Sequence, residues 1–479
     1  MLSRAPLPPT PSRMRGIFGG VSAAALLGAS MAWLWGFTVD DALISCRVAS
    51  NLARGAGYRF NAGGPVVDAV TPLGFAYVLA PFAKSGPLGA LAFSKALGAA
   101  AVLVAVFFLG RRVVQRTSVA YGGALLVCLA CTAPLAAWAV SGMETGLVTA
   151  LCVAALGSGR GADLAAALAA AWRPELAPWC CCVRLGLRLQ APGMTLGRAL
   201  GSPALVLGAV VLVGVVRVVA FGRAAPLAVF AKPSDLDHGL RYALFGFVQT
   251  GLPLLCLAPL TLRRGAPLAR VLVLAGAVHF LALAAAGGDW MSMYRLWVPT
   301  LPSFVLAAAD LWRVAPPWAS WARLVAAGAM SVHLALALGP TARGVGPARE
   351  QLIEEARGSF GSPEWDEIVG PRIVATLDVG WVGAAGDVTV VDLAGVTDEA
   401  IAVLPGGHTS KRISDSLLRS RNVNVLVLLR AKPPRVGYDR EVEMIVSRLP
   451  GAEPAWKTLL PLGNDSGQEY EVRFLKARD

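Results

Sequence analysis

The stretch Pro87–Gly110, PLGALAFSKALGAAAVLVAVFFLG, carries one charge, Lys95. About 20 apolar residues are enough for a helix to cross the hydrocarbon core of a bilayer, so this stretch reads as a spanning helix. The same reading extends in both directions. Ile17–Thr38 precedes it, and Tyr121–Val140, Ala204–Val216, Ala243–Leu262, Val271–Ala286, Leu296–Leu311 and Leu324–Gly339 follow. Shorter apolar runs at Leu147–Gly157 and Leu164–Cys182 read as further crossings or dips. The expectation is an α-helical multi-span membrane protein of about ten spans. Composition agrees: the chain of 479 residues is 56% hydrophobic and only 15% charged, where soluble chains carry about a quarter charged residues.

A net charge of +13 invites comparison with nucleic-acid binders, but the positive residues sit in short connections between apolar runs, where they set topology. No nucleic-acid partner is expected; the lipid bilayer is. Seven of the eight cysteines (Cys128, Cys131, Cys152, Cys180, Cys181, Cys182 and Cys256) fall in apolar runs and behave as small hydrophobes. The tail has none, which excludes a disulfide scaffold. The four histidines show no metal-ligand spacing. Arg4, Arg13 and Arg15 before the first apolar run resemble a secretory signal, but the run is longer than a signal core and a retained first helix is expected.

Lys and Arg in the connections alternate consistently. Arg13/Arg15, Arg111/Arg112/Arg116, Arg160, Arg184/Arg188/Arg198, Arg263/Arg264/Arg270 and Arg313/Arg323 fall on one side, the cytoplasm. The N-terminus is then cytoplasmic. The first loop (39–86), the turns 141–146 and 287–294, and a tail from Thr341 lie outside. Residues 1–340 form the membrane domain and 341–479 a soluble extracytoplasmic α/β domain. Arg372–Leu377, Val388–Leu393, Val423–Leu429 and Glu443–Val446 are its strand-like runs. In the tail, Asp378 and Asp392 suit hydrogen-bonded turns and His408 an exposed loop.

Polar residues near the outer helix ends are the candidates for chemistry. Asp40 and Asp41 stand where the first helix leaves the membrane. Partial burial of two adjacent carboxylates raises the proton affinity of at least one, suiting it to take a proton from a hydroxyl or, with its neighbour, to hold a divalent cation. A helix-exit charge pair facing headgroups would use the same residues. Arg173, Lys232 and Arg295 are cations on the side where positive charge is scarce, and an anionic phosphate just above the lipid accounts for them; snorkelling is the plainer account. Glu144, Glu175 and Asp289 complete an acidic set, with Trp290 an aromatic ring beside Asp289 for a sugar or acceptor. In the first loop, Ile44, Val48 and Leu52 share one helical face and Arg47, Asn51 and Arg54 another, which predicts a helix lying along the membrane surface.

These residues occur in an ordered set of short motifs: Thr38-Val39-Asp40-Asp41-Ala42-Leu43-Ile44-Ser45, Asn51-Leu52-Ala53-Arg54-Gly55-Ala56-Gly57, Phe60-Asn61, Thr71-Pro72-Leu73, Ser141-Gly142-Met143-Glu144-Thr145, Arg173-Pro174-Glu175, Phe230-Ala231-Lys232, Gly287-Gly288-Asp289-Trp290-Met291 and Tyr294-Arg295. In the tail, Leu377-Asp378-Val379-Gly380 and Val391-Asp392-Leu393-Ala394-Gly395-Val396-Thr397-Asp398 continue it. The set resembles GT-C fold glycosyltransferases, specifically the bacterial branch that includes the mycobacterial terminal β-(1→2) arabinofuranosyltransferases. The chain departs from that pattern at Leu227-Ala228-Val229 after Pro226, and at Trp179–Leu189 with its three cysteines and two arginines.

The resemblance implies a glycosyltransferase in a bacterial cytoplasmic membrane. It would move a sugar, arabinofuranose in the best-known relatives, from a polyprenyl-phosphate donor to a glycan or lipid acceptor of the cell envelope, with inversion. It implies Asp40 or Asp41 as general base, and Lys232 and Arg295, with Arg173, holding the donor phosphate. No cofactor is required by the sequence, and a divalent cation at the Asp pair is left open. The alternative is a multi-span transporter of an envelope precursor, favoured by the break at Arg173-Pro174-Glu175 but not by the clean apolar centres of the other helices.

Overall fold

The computed structural model describes residues 13–261, 265–358, 360, 370–433, 437–462 and 467–476. It is a helical membrane protein with a small sheet domain at its C-terminal end. Among the described residues, five helices are long and apolar enough to cross a membrane: Met14–Trp33, Pro87–Arg116, Leu196–Phe221, Pro267–Ala286 and Pro317–Pro340. Leu207, Val211, Leu212, Val215 and Val219 of the third project outward with nothing of the chain covering them, a surface that hydrocarbon solvates and water does not. Val119–Ala130 and Ala133–Ala139 meet at a 57° bend and count as a sixth span if taken together; Pro134, which has no N–H to donate, begins the second piece.

Among the described residues, five helices, or six with the bent pair, thus have the length and composition of a span, where about ten spans were expected. The difference has physical causes. Ala243–Leu262 is broken, with helix Leu236–Thr250 ending at Gly251 and only the short turns Leu252–Leu255 and Ala258–Thr261 beyond it. Leu296–Leu311 is apolar because it is core: helix Leu301–Leu311 is buried at every position within the bundle. Thr145–Ala155 is likewise short and mostly buried. Gly159–Trp172 and Ala177–Leu189 form a helical hairpin whose apex is the turn Pro174–Leu176. In the second arm the two arginines of the irregular Trp179–Leu189 stretch are explained. Arg184 sits 2.8 Å from buried Asp163 and donates to the Ala155 and Gly157 carbonyls at 2.7 and 2.8 Å, and Arg188 pairs with the same carboxylate. Arg263 and Arg264, used to orient the chain, and Arg4, weighed as part of a secretory signal, lie outside the described residues.

The last spanning helix continues without interruption to Arg357, so the division at residue 340 falls inside a helix. Beyond it lie β1 (Ile373–Thr376), β2 (Thr389–Asp392), β3 (Val425–Ala431), β4 (Pro454–Pro461) and β5 (Gln468–Leu475), ordered β2-β1-β3-β5-β4. The β2-β1-β3 half is parallel and the β3-β5-β4 half antiparallel. The expected strand at Glu443–Val446 is instead part of helix Glu441–Ser447, whose Val442 and Val446 are buried one turn apart.

The first-loop helix, Asp40–Ala53, is covered by protein and does not leave one amphipathic face open. It is buried on nearly all sides from Ala42 to Asn51, Arg47 and Asn51 included. It packs between helix Pro87–Arg116 and the β1–β2 crossover helix Val379–Ala385. Arg47 donates to the Phe60, Gly383 and Val388 carbonyls at 2.8, 2.7 and 2.5 Å. Asn61 completes the seam: its amide donates to the Val390 carbonyl at 2.8 Å and accepts the Val390 N–H at 3.0 Å, pairing with the open edge of β2 as a neighbouring strand would.

Candidate active site

A cavity of about 240 Å³ opens between the first loop, the helix ends and turns that carry Glu144, Arg173 and Asp289, and the sheet domain. Asp41, Glu144, Arg173, Glu175, Lys232, Asp289, Trp290 and Arg295 all line it. Of the sequence candidates, Asp40 alone is not among the lining residues.

Asp40 and Asp41 open the first-loop helix, where unpaired N–H groups favour acidic side chains. Successive side chains on a helix point about 100° apart, and here the pair is separated into two environments. Asp40 points to the sheet domain. It accepts the Gly380 and Trp381 N–H groups at 2.7 and 2.9 Å, and Arg349 donates to it at 2.8 Å. Burial, with the nearby charge of Asp378, outweighs Arg349 and these hydrogen bonds and raises the Asp40 carboxyl to about 6. Its proton affinity therefore comes from the domain seam rather than from Asp41. Asp41 points into the cavity, where its Oδ2 stands 3.8 Å from Lys232 Nζ, their side chains 30% and 24% exposed. That distance is beyond hydrogen-bond reach.

The other charges are locked. Arg173 follows the last residue of helix Gly159–Trp172 and donates to Glu175 at 2.7 Å and Glu144 at 3.0 Å. Glu144 begins the helix Thr145–Ala155. Arg295 Nε lies 2.7 Å from Asp289 and its other arm contacts Met143 Sδ at 3.3 Å, with the guanidinium 5.7 Å above the Trp138 ring. Gly287 and Gly288 are what allow Asp289 to reach it. Both have left-handed φ, +86° and +70°, and a Cβ would fall 2.8 Å from the Asp235 nitrogen at one and 2.6 Å from Tyr242 Cβ at the other. The cavity therefore sets three cations against four carboxylates, and Lys232 and Asp41 are the loosely held pair. Among the described residues no group of three or more His, Cys, Asp and Glu side chains is disposed to hold a metal ion.

Several contributors escaped the sequence reading. Asp68 and Arg217 form a buried ion pair, Arg217 also meeting the Thr71 carbonyl, and they fix the 69–72 segment that walls the cavity. An arginine in an otherwise apolar span was the available signal. Val396 reaches the cavity from the sheet domain; the turn carrying it is folded by Asp392, which accepts the Ala394 and Thr397 N–H groups at 2.8 and 2.6 Å. Asp378, by contrast, caps no turn: it receives Arg440 at 3.0 and 2.8 Å and the Tyr470 hydroxyl at 2.6 Å. Burial alone would raise its carboxyl, but Arg440 and Tyr470 prevail and bring it down to about 2. His408 is not an exposed loop residue. Its ring stands 5.3 Å from that of Trp290, whose other neighbour His238 stacks at 4.0 Å and 13°. No family model, curated protein or solved structure matches the chain.

Proposed function

We propose that the chain is a membrane glycosyltransferase of the GT-C type, moving a sugar from a polyprenyl-phosphate donor to a glycan or lipid acceptor. The observation that carries this reading is the Asp41–Lys232 pair: a carboxylate and an ammonium, 3.8 Å apart and partly exposed, in a cavity whose other charges are fixed by mutual pairing. A phosphate entering beside Lys232 gains a cation that is not held by a short bond. The same event frees Asp41 to act as base. The positive-inside pattern supports a cytoplasmic N-terminus with the cavity on the outer side, and the resemblance supports a bacterial cytoplasmic membrane.

In the reaction, Asp41 takes the proton of the acceptor hydroxyl as its oxygen bonds to the anomeric carbon. The bond from that carbon to the phosphate oxygen breaks, and its electron pair leaves with the polyprenyl phosphate, inverting the centre. Positive charge develops on the sugar ring as in other glycosyl transfers. Lys232, with Arg295 and Arg173 behind it, stabilises the negative charge arriving on the phosphate. Glu144, Glu175 and Asp289 keep the two arginines in place, and Trp290 offers a surface to sugar or acceptor. Asp40 serves as the anchor of the first loop.

The test is sugar transfer from a panel of synthetic polyprenyl-phosphate sugars by the purified protein and by Asp41→Asn. Loss of general-base catalysis typically costs about 10²–10⁴-fold. A folded Asp41→Asn protein that transfers at the wild-type rate would defeat the assignment of the base. Donor-independent uptake of an envelope precursor into vesicles would favour the transporter instead.

A further inference from the structure

Beside the cavity, a loop of the sheet domain that is tied by several internal hydrogen bonds meets Trp290 of the cavity wall. Across Pro405–Lys411 the Gly407 N–H donates to Ser410 Oγ and the Ser410 N–H to the Gly407 carbonyl, both at 3.0 Å. Arg412 N–H returns to the Pro405 carbonyl at 3.2 Å, and Val442 N–H ties Thr409 at 2.9 Å. Lys411 is turned inward and buried, its ammonium donating to the Ala402 and Leu404 carbonyls at 2.8 and 2.9 Å. Gly406 is required by the geometry: its φ is +102°, and a Cβ would come within 2.2 Å of the Ser410 carbonyl oxygen. A loop with so many internal ties serves to hold something, and what lies at its tip is His408. Burial and the facing Lys232 push the His408 imidazole down to about 4, so it is neutral at ordinary pH.

His408 meets Trp290 of the membrane domain at 57°. His238 covers one face of that indole, yet Trp290 remains 58% exposed at the mouth of the cavity. Two neutral rings from two domains thus meet at the edge of the cavity that Asp41 lines. We propose that His408 and Trp290 form an acceptor subsite for a neutral sugar ring, with His408 the positioning residue that the C-terminal domain supplies. The C–H face of a sugar suits the negative face of an indole, and an imidazole can donate or accept a hydrogen bond at a ring hydroxyl. The inference rests on the glycosyltransferase reading for its consequence, since the bound ring is the one whose hydroxyl Asp41 deprotonates.

The experiment is saturation-transfer NMR of neutral methyl glycosides and short oligosaccharides with the full-length protein in lipid nanodiscs. Wild type is compared with Asp41→Asn, Trp290→Ala, His408→Ala, His408→Phe and Gly406→Ala, each checked for an unchanged melting temperature or, for Gly406→Ala, a recorded one. Wild type and Asp41→Asn should bind the same saccharide. Trp290→Ala and His408→Ala should weaken it by about tenfold, as loss of a ring contact does, while His408→Phe keeps most of the stacking part. Where transfer is measurable, His408→Ala should raise the acceptor KM with little change in the donor KM. Unchanged binding by folded His408→Ala, or no saccharide bound by wild type, overturns the subsite. Binding that follows these variants in a protein that turns over no donor keeps the subsite and removes the glycosyltransferase reading.

Discussion

Arg349 brings its guanidinium to 2.8 Å from the carboxylate of Asp40, joining the extension of the last spanning helix to the first turn of the first-loop helix. Gly380 and Trp381 of the sheet domain donate to the same carboxylate. Three segments distant in sequence therefore meet on one side chain, and its neighbour Asp41 is left to the cavity. Adjacent acidic residues thus do different work: one closes the domain seam, the other faces Lys232.

The two carboxylates should separate cleanly in mutants. Asp41→Asn should melt like wild type and lose transfer by about 10²–10⁴-fold. Asp40→Asn should keep transfer within about tenfold, because this side chain stands at the domain seam and does not line the cavity. Arg349→Met removes the counter-charge of a buried carboxylate, a change that costs about 3–5 kcal/mol in comparable settings, and Asp40→Asn in the same chain should recover part of the loss. Melting temperature and transfer rate, read side by side, decide the matter: a dead Asp40→Asn beside an active Asp41→Asn would exchange the roles.

The pH dependence of stability follows from the same seam. Asp40, at about 6 in the folded protein against an ordinary 3.8, holds a proton between pH 4 and 6 that the unfolded chain has released. Its contribution thus favours folding at the acid end of that window and is lost as pH rises through 6. Asp392, raised to about 6 by burial, tilts the same way. Asp378, held at about 2, acts oppositely, stabilising above pH 4 and failing as pH falls toward 2. The difference in melting temperature between wild type and Asp40→Asn should therefore narrow as pH falls from 7 to 4, at no more than about 1.4 kcal/mol per pH unit. A constant difference across that range would show that Asp40 does not titrate there.

What the sequence made legible is what depends on local pattern. Apolar runs announced the spanning helices, and β-branched runs announced β1, β2 and β3. Eight charged or aromatic candidates line one cavity because the helix ends and turns that carry them meet there. What stayed hidden depends on distant contacts. The division between Asp40 and Asp41 is made by Arg349, Gly380 and Trp381, and no local feature distinguishes the two. The first-loop helix has an amphipathic pattern, yet its polar face meets the Gly383 and Val388 carbonyls rather than water. Helix Leu301–Leu311 is as apolar as a span because it is buried in protein, and hydropathy does not separate the two conditions. His408 carries no motif; only the folding of its loop onto Trp290 reveals it.

Glycine positions give a control that needs no ligand. Gly288→Ala places a Cβ 2.6 Å from Tyr242 Cβ on a backbone at φ +70°, and the left-handed conformation alone costs a residue with a side chain about 1–2 kcal/mol. The turn should shift Asp289 from Arg295, so both melting temperature and transfer should fall. Gly161→Ala, inside helix Gly159–Trp172 with nothing within 4 Å of the added carbon, should instead stabilise by up to about 1 kcal/mol. Equal behaviour of the two alanine variants in a thermal melt would contradict the turn geometry.

Sidedness can be read by labelling intact cells with a membrane-impermeant maleimide. Lys457 projects from β4 into solvent, and Arg160 lies exposed at the start of the helical hairpin, on the side where arginines gather. Lys457→Cys should react in intact cells and Arg160→Cys only after permeabilisation, each judged against the wild-type chain with its own cysteines. The argument is electrostatic: Lys and Arg in short connections are retained in the cytoplasm, so both ends of the hairpin are expected on that side. Labelling in the reverse order would turn the protein over in the membrane. The Asp41–Lys232 cavity would then open to the cytoplasm, and a donor presented at the outer surface could not reach it.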